Sequence, residues 1–553
     1  MRRRNFVKVM TIAPATLGTA GASPPDGASS LRPSGPEPRI FVRDDGRHAA
    51  GFDQFEPPLE PDDAALIVEQ LAGTGIDTLI FAAGIEGGTV IYDSRVAQKL
   101  GDNVDRWTHP VHYRDARHLR QLIADGHDRL KLLCDRCHSN KLLLIASVCL
   151  DIARYISPRG HGRTSDFVFK NPQFQVGPDR DPRAAALSPT RFSFLHEEVR
   201  AERFRIYEEL LTRFDTDGIE LLIEQAPLCR FDQVRTLAPV LTGYLRELRR
   251  VAETAERSQK LKKRILIRIP ASPVRWTELG YEVPVWVKER LVDALICTGE
   301  DPELHNQDFD LKDVVELTRH TGCRVLGAAG SLVGRLLHNK APQEMIWAAA
   351  ANMLHQGADG VGLDDPLWFR WPWQADEYWT LRILTRSSLL ATADKMYRVD
   401  SLPRGQTQGS ARLPRELVLG RPMVIPIRIA DNLAHWQSRG RVRGVRLNVR
   451  LTNLEPDLND LEMALNGVPL PESILRKVDL TYRLTRLGAA SPYGYVFQYD
   501  LTPELFPKVG INSLTIHLRT RDPKLDLPVQ VYDVDCVVRY RGHRNYELEP
   551  VDF

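Results

Sequence analysis

The chain has 553 residues, too many for one ordinary domain, and its 43% hydrophobic and 26% charged composition is that of a globular protein. Lys and Arg number 74 against 72 Asp and Glu, a net charge of +2, which excludes a broad basic field for nucleic acid. No apolar run of about 18 residues occurs, so no integral membrane helix is expected.

The N-terminus reads as an export signal over residues 1–22. Arg2, Arg3 and Arg4 precede a mildly apolar stretch that ends in Ala20-Gly21-Ala22. Arg3-Arg4-x-Phe-x-Lys is similar to the twin-arginine signal. The expected partner is therefore the twin-arginine export machinery, and the expected location is periplasmic or extracellular. Residues 23–37 are rich in Pro, Ser and Gly and read as a flexible linker.

From residue 38 to 390, short apolar segments alternate with helical patterns. The strand-like segments are 39–43, 77–83, 142–150, 218–223, 264–269, 292–297, 324–328 and 360–363. The helical ones are 62–71, 116–138, 197–214, 231–258, 283–290, 311–321, 342–355 and 374–389. Eight strand–helix units predict an α/β chain closed into a (β/α)8 TIM barrel. No Gly-x-Gly-x-x-Gly opens any helix, so a dinucleotide fold is not expected.

Residues 391–553 change grammar. Segments such as "NVRLT" and "TIHLRT" alternate polar and apolar, and Asn466-Gly467 marks a hairpin. A C-terminal all-β sandwich is expected there, covering one side of the barrel or binding sugar.

In such a barrel the chemistry sits at the C-terminal ends of the strands. Asp44 and Asp45 follow the first strand, Glu86 the second within "GIEGG", and Asp151 with Arg154 the third. Glu220 and Glu224 belong to the fourth strand and Arg268 to the fifth; Glu300 follows the sixth and Asp364 the eighth. A ring of carboxylates suits acid/base work on a polyhydroxylated substrate, and the same residue types also cap helices and pair with Arg. Trp368 and Trp371, in "PLWFRWPW", are candidate sugar platforms or interface residues.

The seven cysteines are scattered, which is not a disulfide framework. "CDRCH" (134–138) has the spacing of a c-type haem attachment, but it ends a helical pattern and reads as a helix terminus with one buried and one exposed Cys. His109-Pro-Val-His112 and the His161 segment "RGHGR" have no evident partner ligands, so no metal or cofactor is expected.

"DGIELLIE" (217–224) resembles the Asp-Gly-x-Asp-x-Asp-x-Glu strand of family-eighteen glycoside hydrolases, the chitinase group. With "TRFDTDGIELL", "RIPASPVRW" and "GADGVGL", residues 38–390 are more broadly similar to exported glycosyl-hydrolase-like barrels. The resemblance implies cleavage of glycosidic bonds in a glycan, with Glu224 as general acid and Glu220 as its support. Asp151 or Asp364 would be the partner carboxylate. Substrate contacts would come from Arg268, Glu86, Asp45, Glu300, Trp368 and Trp371. Leu222 stands where the motif has an Asp that positions substrate. The alternative is a catalytically degenerate barrel that binds glycan without hydrolysis.

Overall fold

The structure, a computed structural model, describes residues 36–44, 55–223, 226–300, 304–331, 333, 341–363, 373–399, 412–479 and 494–542. The expected export signal lies outside these residues, as do most of the linker, Asp45, Glu224, Asp364, Trp368 and Trp371. The last two linker residues are anchored: Glu37 pairs with Lys262 at 2.6 Å and Arg264 at 3.0 Å, and Pro36 O accepts from Arg264 at 2.7 Å.

Eight parallel strands close into a barrel. They are β1 (Ile40–Asp44), β2 (Thr78–Gly84), β3 (Leu143–Cys149), β4 (Gly218–Leu222), β5 (Arg264–Pro270), β6 (Ala294–Thr298), β7 (Arg324–Ala329) and β8 (Gly360–Leu363). β8 pairs back onto β1. Both faces of each strand are covered, so the strands read as nearly continuous apolar runs. One face fills the barrel with Phe41, Ile80, Ile145, Leu266, Ile296 and Leu326. The other face, including Leu79, Leu144, Ile219 and Ile267, packs with the helices in a larger core.

The expected helix over 116–138 is two helices, Pro110–Ala124 and Arg129–Ser139. Gly126 between them takes a left-handed φ of 86°, and the Asp128 carboxylate then caps the second helix by accepting from Leu130 and Lys131 N–H. Both cysteines of "CDRCH" are buried in that second helix rather than one of them. His138 Nε2 lies 3.0 Å from the Asp217 carboxylate. Residues 150–196, between β3 and the helix Glu197–Thr212, form a long excursion with short helical turns.

The C-terminal strands form two antiparallel sheets. One is ordered β10 (Arg415–Glu416), β18 (Gln530–Tyr540), β12 (Val442–Thr452), β16 (Tyr495–Leu501), β15 (Leu475–Asp479), with β9 (Lys395–Arg398) also on β18. The other is ordered β11 (Met423–Ile429), β17 (Gly510–Leu518), β13 (Leu461–Leu465), β14 (Val468–Pro469). Their inner faces share one core, the arrangement of a sandwich. Asn466 and Gly467 both have positive φ, 52° and 81°, as the expected tight hairpin needs. β9 and β15 were not expected: β9 has four residues and β15 reads "LRKVD", too polar for a strand signal.

The barrel and sandwich meet along the helix Gln343–His355. Its Ala348 belongs to the sandwich core, and Asn352 donates to Gln307 O and Arg428 O, each at 3.2 Å. Asp308 adds ion pairs to Arg412 at 2.7 Å and Arg428 at 2.8 Å.

Candidate functional site

Register fixes which acids face the barrel interior. Glu220 pairs in the sheet with Ser147 and Leu266, and Leu266 belongs to the interior cluster. Glu220 is therefore inside, as are Leu222, Arg268 and Arg43, each two residues from an interior position. The Glu220 carboxylate accepts from Arg268 at 2.8 Å and lies 3.8 Å from Arg43. Burial alone would raise its pKa; the Arg268 and Arg43 cations outweigh burial and hold it below the usual range. Arg268 is 1% exposed, so in this arrangement its guanidinium meets Glu220 inside the barrel rather than a substrate at the mouth. Leu222 is buried one step nearer the mouth.

Asp151 has the opposite character. It follows β3, is 0% exposed, and neither carboxyl oxygen has a hydrogen-bond partner. Burial pushes its pKa up to about 6, against the pull of Arg154 and Arg191. Arg191, which the sequence did not single out, is buried in the long excursion and donates to Ser188 O at 3.1 Å and Cys229 O at 3.3 Å. No local pattern marks it; a lone Arg among loop residues carries no periodic signal.

The β2 loop places Glu86 against the turn that follows Asp151. Its backbone oxygen accepts from Ala153 N–H at 2.8 Å. Its carboxylate pairs with Arg163 at 2.7 Å. Burial would raise its pKa, but Arg163, with a contribution from Arg154, holds it low. The glycines of "GIEGG" permit this approach: a Cβ on Gly87 would lie 2.2 Å from Arg163 O. One loop pair thus holds a carboxyl with a raised pKa and a carboxylate with a lowered one, the divergence that acid/base chemistry uses. Glu300 is exposed after β6 and makes no described contact with this pair.

The fold also joins the two histidine segments. His109 stacks on His112 with ring centroids 4.0 Å apart, and His161 lies 5.0 Å from His109. Among the described residues no group of three or more His, Cys, Asp or Glu is placed to hold a metal ion. A cavity of about 360 Å³ lies by β7 and β8, lined by Ala329, Ser331, Ala349, Ala350, Asp376 and Thr380 among others. It opens where small residues leave the barrel wall and the helix Gln343–His355 apart, and none of the acids discussed above lines it. Trp373 is buried against Tyr378, while Trp379 is 49% exposed.

No protein-family model matches the chain, and no curated protein does. Solved structures do. A cycloisomaltooligosaccharide glucanotransferase of Paenibacillus sp. is 11% identical, over 90% of this chain and 57% of that one, with a TM-score of 0.34. Alpha-L-fucosidase isoenzyme 2 of Paenibacillus thiaminolyticus is 12% identical, over 64% and 50%, at 0.40. A glycoside hydrolase family 18 N-acetylglucosaminidase of Paenibacillus barengoltzii is 12% identical, over 63% and 99%, at 0.34. The chain spans about half the length of the first two. Likenesses this distant leave the functional reading to the geometry of the mouth.

Proposed function

We propose that the barrel mouth binds a glycan and cleaves its glycosidic bonds by carboxylate acid/base chemistry. The observation that carries the reading is two carboxyls on neighbouring loops, after β2 and β3: Asp151 with its pKa raised to about 6, and Glu86 held anionic by Arg163. In its acid form Asp151 would protonate the leaving glycosidic oxygen; an anionic carboxylate would attack the sugar or activate water. Glu86 is the described residue suited to that second role. Glu224 and Asp364 are the further carboxylates that the sequence offers. Glu220 would position the mouth from below rather than act on substrate.

The test is hydrolysis of a panel of poly- and oligosaccharides by the parent, Asp151→Asn and Glu86→Gln. We expect each variant to lose at least about a hundred-fold in kcat. A variant as active as the parent would remove that residue from the mechanism. Glycan binding by the parent with no hydrolysis across the panel would favour the degenerate barrel, for which Leu222 beside the locked Glu220 is the supporting observation.

We further propose, from the Arg2–Arg4 cluster and the apolar stretch ending in Ala20-Gly21-Ala22, that residues 1–22 are an export signal. Among the described residues no helix is long and apolar enough to cross a membrane. Recovery of the chain outside the cytoplasm with its N-terminus near residue 23 would support export; retention inside the cell would oppose it.

A further inference from the structure

Two residues past Asp151 the chain takes a conformation that its sequence does not favour. Ala153 has a left-handed φ of 64°, which L-residues other than glycine rarely adopt. Its neighbours impose it. Ile152 N–H donates to Leu150 O at 3.0 Å, and Ile152 O accepts from Phe192 N–H at 2.9 Å. Ala153 N–H donates to Glu86 O at 2.8 Å, and Ala153 O accepts from the Thr190 hydroxyl at 2.8 Å. A turn pinned at four points holds a strained residue, an arrangement that occurs at binding sites.

The turn separates two side chains four residues apart. Asp151 is fully buried on one side, and Tyr155 is 58% exposed on the other. Arg154 lies between them. Its guanidinium carbon sits 4.6 Å from the centroid of the Tyr155 ring, and its charge acts on both Asp151 and Glu86. One ring face is thus backed by a cation, and more than half of the side chain remains open to solvent. A large exposed aromatic held on a pinned turn gains nothing from burial where it is.

Resting on the glycan reading above, we infer that Tyr155, braced by Arg154, is a stacking platform for a pyranose unit of the substrate beside the turn that follows Asp151. A flat ring fits the apolar face of a sugar. The Arg154 guanidinium against the other face holds the ring in place. Tyr155 would be a positioning residue: it would hold the sugar and leave the bond-breaking step to the carboxyls.

The experiment is calorimetric titration of the full chain and its variants with soluble cello-, malto-, laminari- and chito-oligosaccharides. Tyr155→Ala should weaken the series that the parent binds by about five- to ten-fold, and Tyr155→Phe should stay within about two-fold of the parent. Where turnover is measurable, Tyr155→Ala should raise KM and leave kcat unchanged, a split that general loosening of the fold would not give. The exposure of Tyr155 means that both variants should keep the parent's melting temperature. Equal affinity of Tyr155→Ala and the parent would overturn the platform and leave the glycan reading standing. A parent that binds none of the four series would overturn both.

Discussion

Glu220, Asp151 and Glu86 have pKa values shifted in different directions because their surroundings differ. Glu220 is inside the barrel with two Arg partners; removing its charge strands those cations. Glu220→Gln should cost about 3–5 kcal/mol of stability, read by denaturant unfolding, and a loss below about 1 kcal/mol would show that the ion cluster is not needed for folding. Asp151 has no hydrogen bond to offset its burial. Its folded pKa of about 6 lies above the ordinary 3.8. Its contribution to stability is therefore fully present below about pH 4 and is lost as pH rises through about 6. Asp151→Asn removes a buried charge, so it should melt above the parent at pH 7.5, with the gap closing as pH falls from 6 to 4. A pH-independent gap would mean that Asp151 titrates as an ordinary carboxyl.

At the scale of elements, loops and strands approach closely where glycine allows it. In β8 the Gly362 position faces the barrel interior, and a Cβ there would lie 2.1 Å from the Phe41 ring. Phe41 is itself fully buried, so it cannot swing away. Gly362→Ala should cost about 1–3 kcal/mol by overpacking, and Phe41→Leu in the same chain should return part of it. Unfolding of Gly362→Ala that matches the parent would place slack in this layer. The same logic seats the site: Gly87 lets the β2 loop lie on Arg163 O, and this contact carries the Glu86–Arg163 pair to the mouth.

Across the whole molecule the barrel and sandwich share structure. Ala348 on a barrel helix completes the sandwich core, while Asn352 and Asp308 bond residues of the sandwich. A chain cut to residues 36–390 would expose that helix face and leave the Asp308 carboxylate without Arg412 and Arg428. It should melt well below the full chain or aggregate; the same melting temperature for both would show that the barrel stands alone.

Periodicity was enough for the coarse plan. Eight buried strands alternating with helices leave few alternatives to a closed barrel, and the Asn466-Gly467 hairpin follows from the backbone freedom of those two residues. Two-residue alternation also sets Glu220 and Leu222 on one face. The sequence by itself thus determined the architecture and a shortlist of acids. Which acid has its pKa raised and which lowered was not legible, because a carboxyl's pKa depends on partners distant in sequence: Arg268 lies 48 residues from Glu220, and Arg163 lies 77 residues from Glu86. The tertiary structure alone decided that Glu86 meets the turn after Asp151, that Arg268 faces inward and that the strained turn at Ala153 puts Tyr155 in solvent. Those outcomes come from loops closing on one another, where contacts far apart in sequence override local preference.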